Sequence, residues 1–157
     1  MTYAVNQNFK PMKKLRGHST TIWQIDFSLD SLTIVSDALL FFDTETGKQK
    51  TRGASETKNE TWASWTLRQG WPVQGIYPAA SMLDDINAVD RSSDGQVLAT
   101  GDDFGFVKLF KFPCPTPKAA FNKFNGHSSH VTNVRFTKNK VGDKYLVSTG
   151  GNDKTIF

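Results

Sequence analysis

The side chains best suited to chemistry in this sequence lie near its end: His127, Thr149 and Asp153. A hydroxyl, an imidazole and a carboxylate are the parts of an acyl-transfer triad, in which the ring takes the hydroxyl proton and the carboxylate orients the ring. No nucleophile-elbow or oxyanion-hole pattern accompanies them, so the sequence does not favour a triad. The other candidates are weaker. His18, His127 and His130 are too few and too scattered, and Cys114 too isolated, for a metal site with the usual ligand spacing. The Gly-rich stretches Gly101–Gly105 and Gly150-Gly151 lack the Lys-Ser or Lys-Thr ending of a phosphate loop and read as hairpin turns. Asp84-Asp85 and Asp102-Asp103 are chain neighbours, and neighbours on a strand face opposite sides, which argues against paired acid and base work. The expectation is therefore no catalytic residue, no cofactor-binding residue and no metal ligand.

The elements that must position these residues repeat. Gly17-His18-Ser19-Thr20-Thr21-Ile22-Trp23-Gln24-Ile25-Asp26-Phe27-Ser28 recurs as Gly126-His127-Ser128-Ser129-His130-Val131-Thr132-Asn133-Val134-Arg135-Phe136-Thr137. Apolar residues in both copies fall near period two, the pattern of a half-buried strand. Asp85-Ile86-Asn87-Ala88-Val89-Asp90-Arg91-Ser92 keeps the spacing without the Gly-His and reads as a divergent third copy. Asp94-Gly95 then leads into Gln96–Thr100, a strong hairpin signal. A second turn, at Gly101–Gly105 or Gly150–Asp153, precedes a third apolar strand, Phe106–Phe110 or Lys154–Phe157. No amphipathic helical period is visible, so the predicted fold is all-β.

Units with a Gly-His before one strand and an aromatic-Asp end on another, repeating every 40 to 45 residues or so, are the pattern of WD-repeat β-propeller blades. Phe42-Asp43 takes the Trp-Asp place in the first unit and Phe110 the aromatic place in the second, before the stiff connector Pro113-Cys114-Pro115-Thr116-Pro117. The two Gly-His pairs stand farther apart than two such blades would need, so an insertion is expected between them. The predicted organisation is a leading segment or outer strand at 1–14, a blade at 15–49, an atypical insertion with an outer strand at 50–83, a divergent blade at 84–113 and an incomplete blade at 114–157. This is a partial propeller of about three antiparallel blades, where complete ones use about four to eight. Only Ser36-Asp37 separates Val35 from Ala38–Phe42, a shorter turn than a usual blade carries, and the chain stops at Phe157 within a strand. Both features point to a fragment.

Composition agrees with a folded chain: an apolar fraction of 38% with 12 Phe and 4 Trp is too hydrophobic for disorder. The lone Cys114 can form no internal disulfide, and neither a signal peptide nor an apolar run of roughly 20 residues is present, so the cytoplasm is the expected compartment and no membrane partner is expected. Asn59-Glu60-Thr61 fits the glycosylation pattern, which matters only in a secreted chain. Nineteen Lys and Arg against fifteen Asp and Glu give a net charge of +4, a mild bias toward acidic partners. The basic residues gather at Lys10, Lys13, Lys14 and Arg16, at Lys48, Lys50, Arg52 and Lys58, and at Lys138, Lys140 and Lys144. No aromatic-and-basic motif of an RNA module accompanies them, so nucleic acid is not an expected partner.

Several further motifs occur in one order. They are Phe41–Gln49, Thr61-Trp62-Ala63-Ser64-Trp65-Thr66, Gly70–Pro78, Asp85–Val89, Thr100–Gly105, Gly126–Val134 and Ser148–Asp153. In this arrangement the chain resembles the last blades of the echinoderm microtubule-associated protein-like family, over most of residues 15–157. The resemblance implies a tandem of two propellers that binds tubulin, preceded by a coiled coil directing the protein to microtubules. It implies a non-enzymatic, cytoskeletal role, with Lys10, Lys13, Lys14, Arg16, Lys48, Lys50 and Arg52 as candidate electrostatic contacts to acidic tubulin. It also implies that His127, Thr149 and Asp153 form a structural hydrogen-bond network. The alternative is a WD-repeat scaffold for other protein partners, in a ciliary axoneme or another cytoskeletal assembly.

Overall fold

The computed structural model describes residues 2–4, 10–77, 85–138 and 142–157. Two compact units divide the chain, Met1–Ser64 and Trp65–Phe157.

In the first unit, β1 (Thr2–Ala4) pairs with β2 (Lys10–Lys13). A four-stranded antiparallel sheet follows in chain order, β3 (Ile25–Phe27), β4 (Thr33–Ser36), β5 (Phe41–Asp43) and β6 (Gln49–Lys50). All four residues of β4 are buried, and with Phe41, Phe42 and Trp62 they form this unit's core. A four-residue helix, α1 (Gly53–Glu56), lies so close to β5 that a Cβ on Gly53 would collide with the Phe41 ring.

The second unit holds another four-stranded antiparallel sheet: β7 (Ile86–Arg91), β8 (Val97–Asp102), β9 (Val107–Lys111) and β10 (Phe121–Phe124). Beside it stands the hairpin β11 (Val131–Phe136) and β12 (Leu146–Gly150). Residues 155–157 extend this hairpin, since Gly150 N donates to Thr155 O and Ser148 and Phe157 exchange backbone bonds at 2.9 and 3.0 Å. The expected all-β architecture of about three antiparallel blades, a partial propeller, is what the chain forms.

Side chains between β7–β8 and β11 form the second core: Ala88, Ala99, Val107, Val131 and Val134, with Leu109, Phe136 and Leu146 at its border. Small residues on one sheet admit large ones from the other, and a Cβ on Gly101 would come within 2.5 Å of Val131 Cγ1. Val131 and Val134 are fully enclosed, each stabilising the pair of sheets by about 1.5–3 kcal/mol relative to exposure. Polar bonds fix the register. Phe136 N and Lys138 Nζ donate to the buried Asp90 carboxylate at 2.7 and 2.9 Å, and Asn87 Nδ2 donates to Val131 O at 3.0 Å.

The repeat is visible down to its turns. Ser28 Oγ donates to Asp30 and Ser92 Oγ to Asp94, at 2.5 and 2.6 Å, while each serine oxygen accepts a backbone N–H from five residues on. These serine hydroxyls are the chief reason that both exposed carboxyls titrate below the ordinary 3.8.

Three expectations need correction. Residues 61–67 form no outer strand: Trp62 makes a single bridge to Ser28, and Leu29 N and Ala63 N tie the segment to the end of β3. The predicted insertion at 50–83 is divided at Ser64/Trp65, with its later part in the second unit. There Trp65 O accepts from Arg91 N, and the 3₁₀ helix Trp71–Ile76 is bonded to the proline connector through Gly75 N–Cys114 O at 2.7 Å and Cys114 N–Pro72 O at 2.9 Å. Residues 78–83 lie outside the described residues. Finally, β10 pairs with β9, so the stretch 114–124 completes the second sheet instead of opening the third. One face also departs from pattern: Ile22, Ile25 and Phe27 are 46, 50 and 38% exposed, and the enclosed residue of β3 is Asp26, held by Ser64 Oγ at 2.5 Å.

Candidate functional site

Two features collect the polar residues of interest, a buried network in the second unit and a basic strip in the first. The network centres on His127, delivered by the turn between β10 and β11. Its Nδ1 lies 3.0 Å from Asp153 Oδ2 and 3.0 Å from Thr155 Oγ1, and its Nε2 lies 2.9 Å from Ser148 Oγ. The imidazole and the carboxylate are 2% and 4% exposed, and the Phe157 ring meets the imidazole edge-on with centroids 4.8 Å apart.

The structure thus brings His127 and Asp153 together and leaves Thr149 apart from them. Its Oγ1 pairs with Thr132 Oγ1 at 2.8 Å on the other side of the hairpin. Adjacent residues on a strand point to opposite faces, so only one of Ser148 and Thr149 can reach the ring, and the register that pairs Ser148 with Val134 selects Ser148. Ser148 and Thr155 are the members that sequence reasoning missed. A signal existed: Ile34-Val35-Ser36 and Leu146-Val147-Ser148 align on the two second strands. The first unit repeats the contact, with His18 Nε2 2.6 Å from Ser36 Oγ and the imidazole stacked on Phe42 at 5.5 Å. Among the described residues no carboxylate is bonded to His18, and Asp37 instead accepts from Trp23 N at 2.8 Å.

Burial opposes ionisation of Asp153, but donors from Thr155 N, His127, Thr155 Oγ1 and Ser128 N together outweigh it and hold the carboxyl below 3.8. The anion is therefore fixed and satisfied on several sides. In type and order, Ser148, His127 and Asp153 match a relay of nucleophile, base and orienting carboxylate. Ser148 and His127 also border a cleft of about 310 Å³ walled by apolar residues including Leu109, Phe124 and Leu146. The backbone donor an oxyanion would need is engaged, however, since Ser148 N donates to Phe157 O at 2.9 Å. Cys114 is a poor nucleophile, its thiol pushed up to about 11 by burial. Among the described residues no group of three His, Cys, Asp or Glu side chains could hold a metal ion, and no helix is long and apolar enough to cross a membrane.

The seven candidate basic contacts all fall in the first unit. Lys10 and Lys13 lie on β2, whose residues are all exposed, and Lys14 and Arg16 follow it, also exposed. This segment runs beside the outer hairpin of the sheet: a Cβ on Gly47 would stand 3.1 Å from Lys13 Cβ, and one on Gly17 would stand 3.0 Å from Gln49 Oε1. Lys48, exposed between Gly47 and Gln49, therefore belongs to the same strip, and Arg52 is exposed just beyond β6. Lys50 is the exception, half-buried with its Nζ 2.8 Å from Thr33 Oγ1.

Comparison with known proteins places these features in context. A family model described as the echinoderm microtubule-associated protein second beta-propeller matches residues 1–157. The chain is 44% identical to the 77 kDa echinoderm microtubule-associated protein of Lytechinus variegatus, over 99% of this chain and 24% of that protein. It is 41% identical to echinoderm microtubule-associated protein-like 4 of Xenopus laevis, over 99% of this chain and 17% of that protein. It is 40% identical to echinoderm microtubule-associated protein-like 2 of Rattus norvegicus, over 99% of this chain and 24% of that protein. The chain thus spans about a quarter or less of the length of these curated relatives.

Proposed function

The chain belongs to the echinoderm microtubule-associated protein family, and on that premise we propose that it is a non-catalytic, microtubule-binding propeller segment whose contact surface is the basic strip of the first unit. The observation that carries this reading is the gathering of Lys13 and Lys48, distant in sequence, at one exposed edge. A strip in which basic residues outnumber the hairpin's Asp43 and Glu45 attracts an acidic surface, raises the association rate and makes binding weaken with salt. The names of the relatives supply the partner, and location on the cytoskeleton follows from it. The buried network is read as structural: each of its polar groups is paired inside the blade, as buried polar groups must be. Lys50 serves the fold through Thr33, and contact is assigned to Lys10, Lys13, Lys14, Arg16, Lys48 and Arg52. Pelleting of the full chain with microtubules across a salt series tests the proposal. Retention that falls steadily with ionic strength supports it, and binding that is absent or independent of salt counts against it.

A further inference from the structure

The outer edge of the second sheet carries features that the fold itself does not use. In the strand order β10-β9-β8-β7, β10 is the edge, and all four of its residues, Phe121-Asn122-Lys123-Phe124, are exposed. An edge strand turns alternate backbone N–H and C=O groups away from its sheet, a template for another chain. Proteins commonly blunt such an edge with proline, a bulge or several charges. β10 contains no proline, keeps an unbroken four-residue register with β9, and flanks its one lysine with two phenylalanines that are 48 and 52% exposed.

The charges point to what the edge would take. Lys123 and Lys108 are direct cross-strand partners, an arrangement in which like charges repel. Lys108 is neutralised by Asp102 at 2.7 Å, whereas among the described residues no carboxylate forms an ion pair with Lys123. Instead the Lys123 ammonium sits 4.2 Å from the centroid of the Phe106 ring, and Lys108 sits 5.5 Å from that of Phe121. Aromatic faces hold an ammonium in place without cancelling its charge. Side-chain alternation puts Phe106, Lys108, Phe121 and Lys123 on one face. The result is an unneutralised cation fixed over an apolar platform, next to a row of unpaired backbone groups.

We propose that the β10 edge receives an acidic, extended peptide segment of another protein, which adds as a fifth strand and sets a carboxylate beside Lys123 and an apolar side chain on Phe121. Main-chain bonds supply affinity in this mode and side-chain contacts supply selectivity. The inference is independent of the basic strip, which belongs to the other unit.

The test is fluorescence anisotropy of the full chain with a labelled eight-residue peptide alternating Glu and Val. A Lys–Val peptide and a Glu–Val peptide methylated on alternate backbone nitrogens serve as comparisons. The Glu–Val peptide binds saturably at low salt. Lys123→Glu weakens it by about tenfold or more without lowering the thermal midpoint, Lys123→Gln weakens it less, and both comparison peptides bind at least about tenfold more weakly. Absence of saturable Glu–Val binding overturns the proposal, and so does an affinity unchanged in both Lys123 variants, which would leave Lys123 as an edge guard only. Equal binding of the Lys–Val peptide removes the charge argument, and equal binding of the methylated peptide removes strand addition.

Discussion

His127 Nε2 stands 2.9 Å from Ser148 Oγ and joins the turn before β11 to the middle of β12 inside a buried network. Because the ring bonds Asp153 and Thr155 on its other side, removing it takes a contact from three partners at once, although Asp153 keeps its bonds from Ser128 N and Thr155 N. We expect His127→Ala to destabilise the chain by about 2–3 kcal/mol and Ser148→Ala by about 1–2 kcal/mol, the range for buried groups left unpaired. Thr149→Val, which touches only the outer Thr132 contact, should cost about 0.5 kcal/mol or less. Urea denaturation of the three variants checks this ordering, and a larger effect at Thr149 than at Ser148 would reverse the assignment.

Asp153 adds a pH dependence of known sign. Its folded carboxyl titrates below 3.8, so it binds protons less readily in the folded chain than in the unfolded one. The stabilisation is fully present above the unfolded value of about 3.9 and is lost as pH falls through the lower folded value. The stability gap between the chain and Asp153→Asn should therefore hold from pH 7 to about 5 and narrow by about pH 3. Thermal midpoints across that range measure it, and a gap that stays constant to the acid end would contradict the argument.

The shortened turn of the first blade holds Leu39 at φ 51°, in the left-handed region. A branched side chain there costs about 1–2 kcal/mol, which glycine avoids. Leu39→Gly should raise stability by about 0.5–1 kcal/mol after the loss of some side-chain burial. A fall in the denaturation midpoint would show that the Leu39 side chain matters more than its backbone.

Much of this fold was legible because its signals are local. Alternating apolar residues, Asp94-Gly95 and the two Gly-His pairs identify strands and turns within a dozen residues each. Choices between neighbours were not legible. Ser148 and Thr149 have similar propensities, and only the hairpin register decides which faces His127. The aromatic run 61–67 has strand composition, but its backbone groups meet Phe27 and Leu29 at one end and Arg91 at the other, so no ladder forms. The basic strip was half-visible: the residue types could be read, whereas the approach of Gly47 to Lys13 and the engagement of Lys50 by Thr33 depend on tertiary contacts.

Asp90 connects two blades through a single carboxylate. It is fully buried and accepts from Phe136 N and Lys138 Nζ. Asp90→Ala leaves a strand N–H unpaired between the sheets and should cost about 2–3 kcal/mol, with Asp90→Asn costing less because its oxygen still accepts from Phe136. Hydrogen exchange should show faster opening of β11 in the alanine variant, and unchanged protection there would remove Asp90 from this role.

The central claim is that the strip built from β2 and the β5–β6 hairpin carries microtubule binding. Its most direct test is co-sedimentation of the full chain and a Lys13→Glu/Lys48→Glu double variant with polymerised microtubules at low salt. Both residues are exposed, and an unchanged thermal midpoint of the double variant separates lost contact from lost fold. The chain should pellet with the microtubules, and the double variant should bind about tenfold more weakly or worse, since two attractive charges become repulsive ones. Equal pelleting of the two proteins, or a chain that stays in the supernatant with microtubules in excess, would contradict the claim.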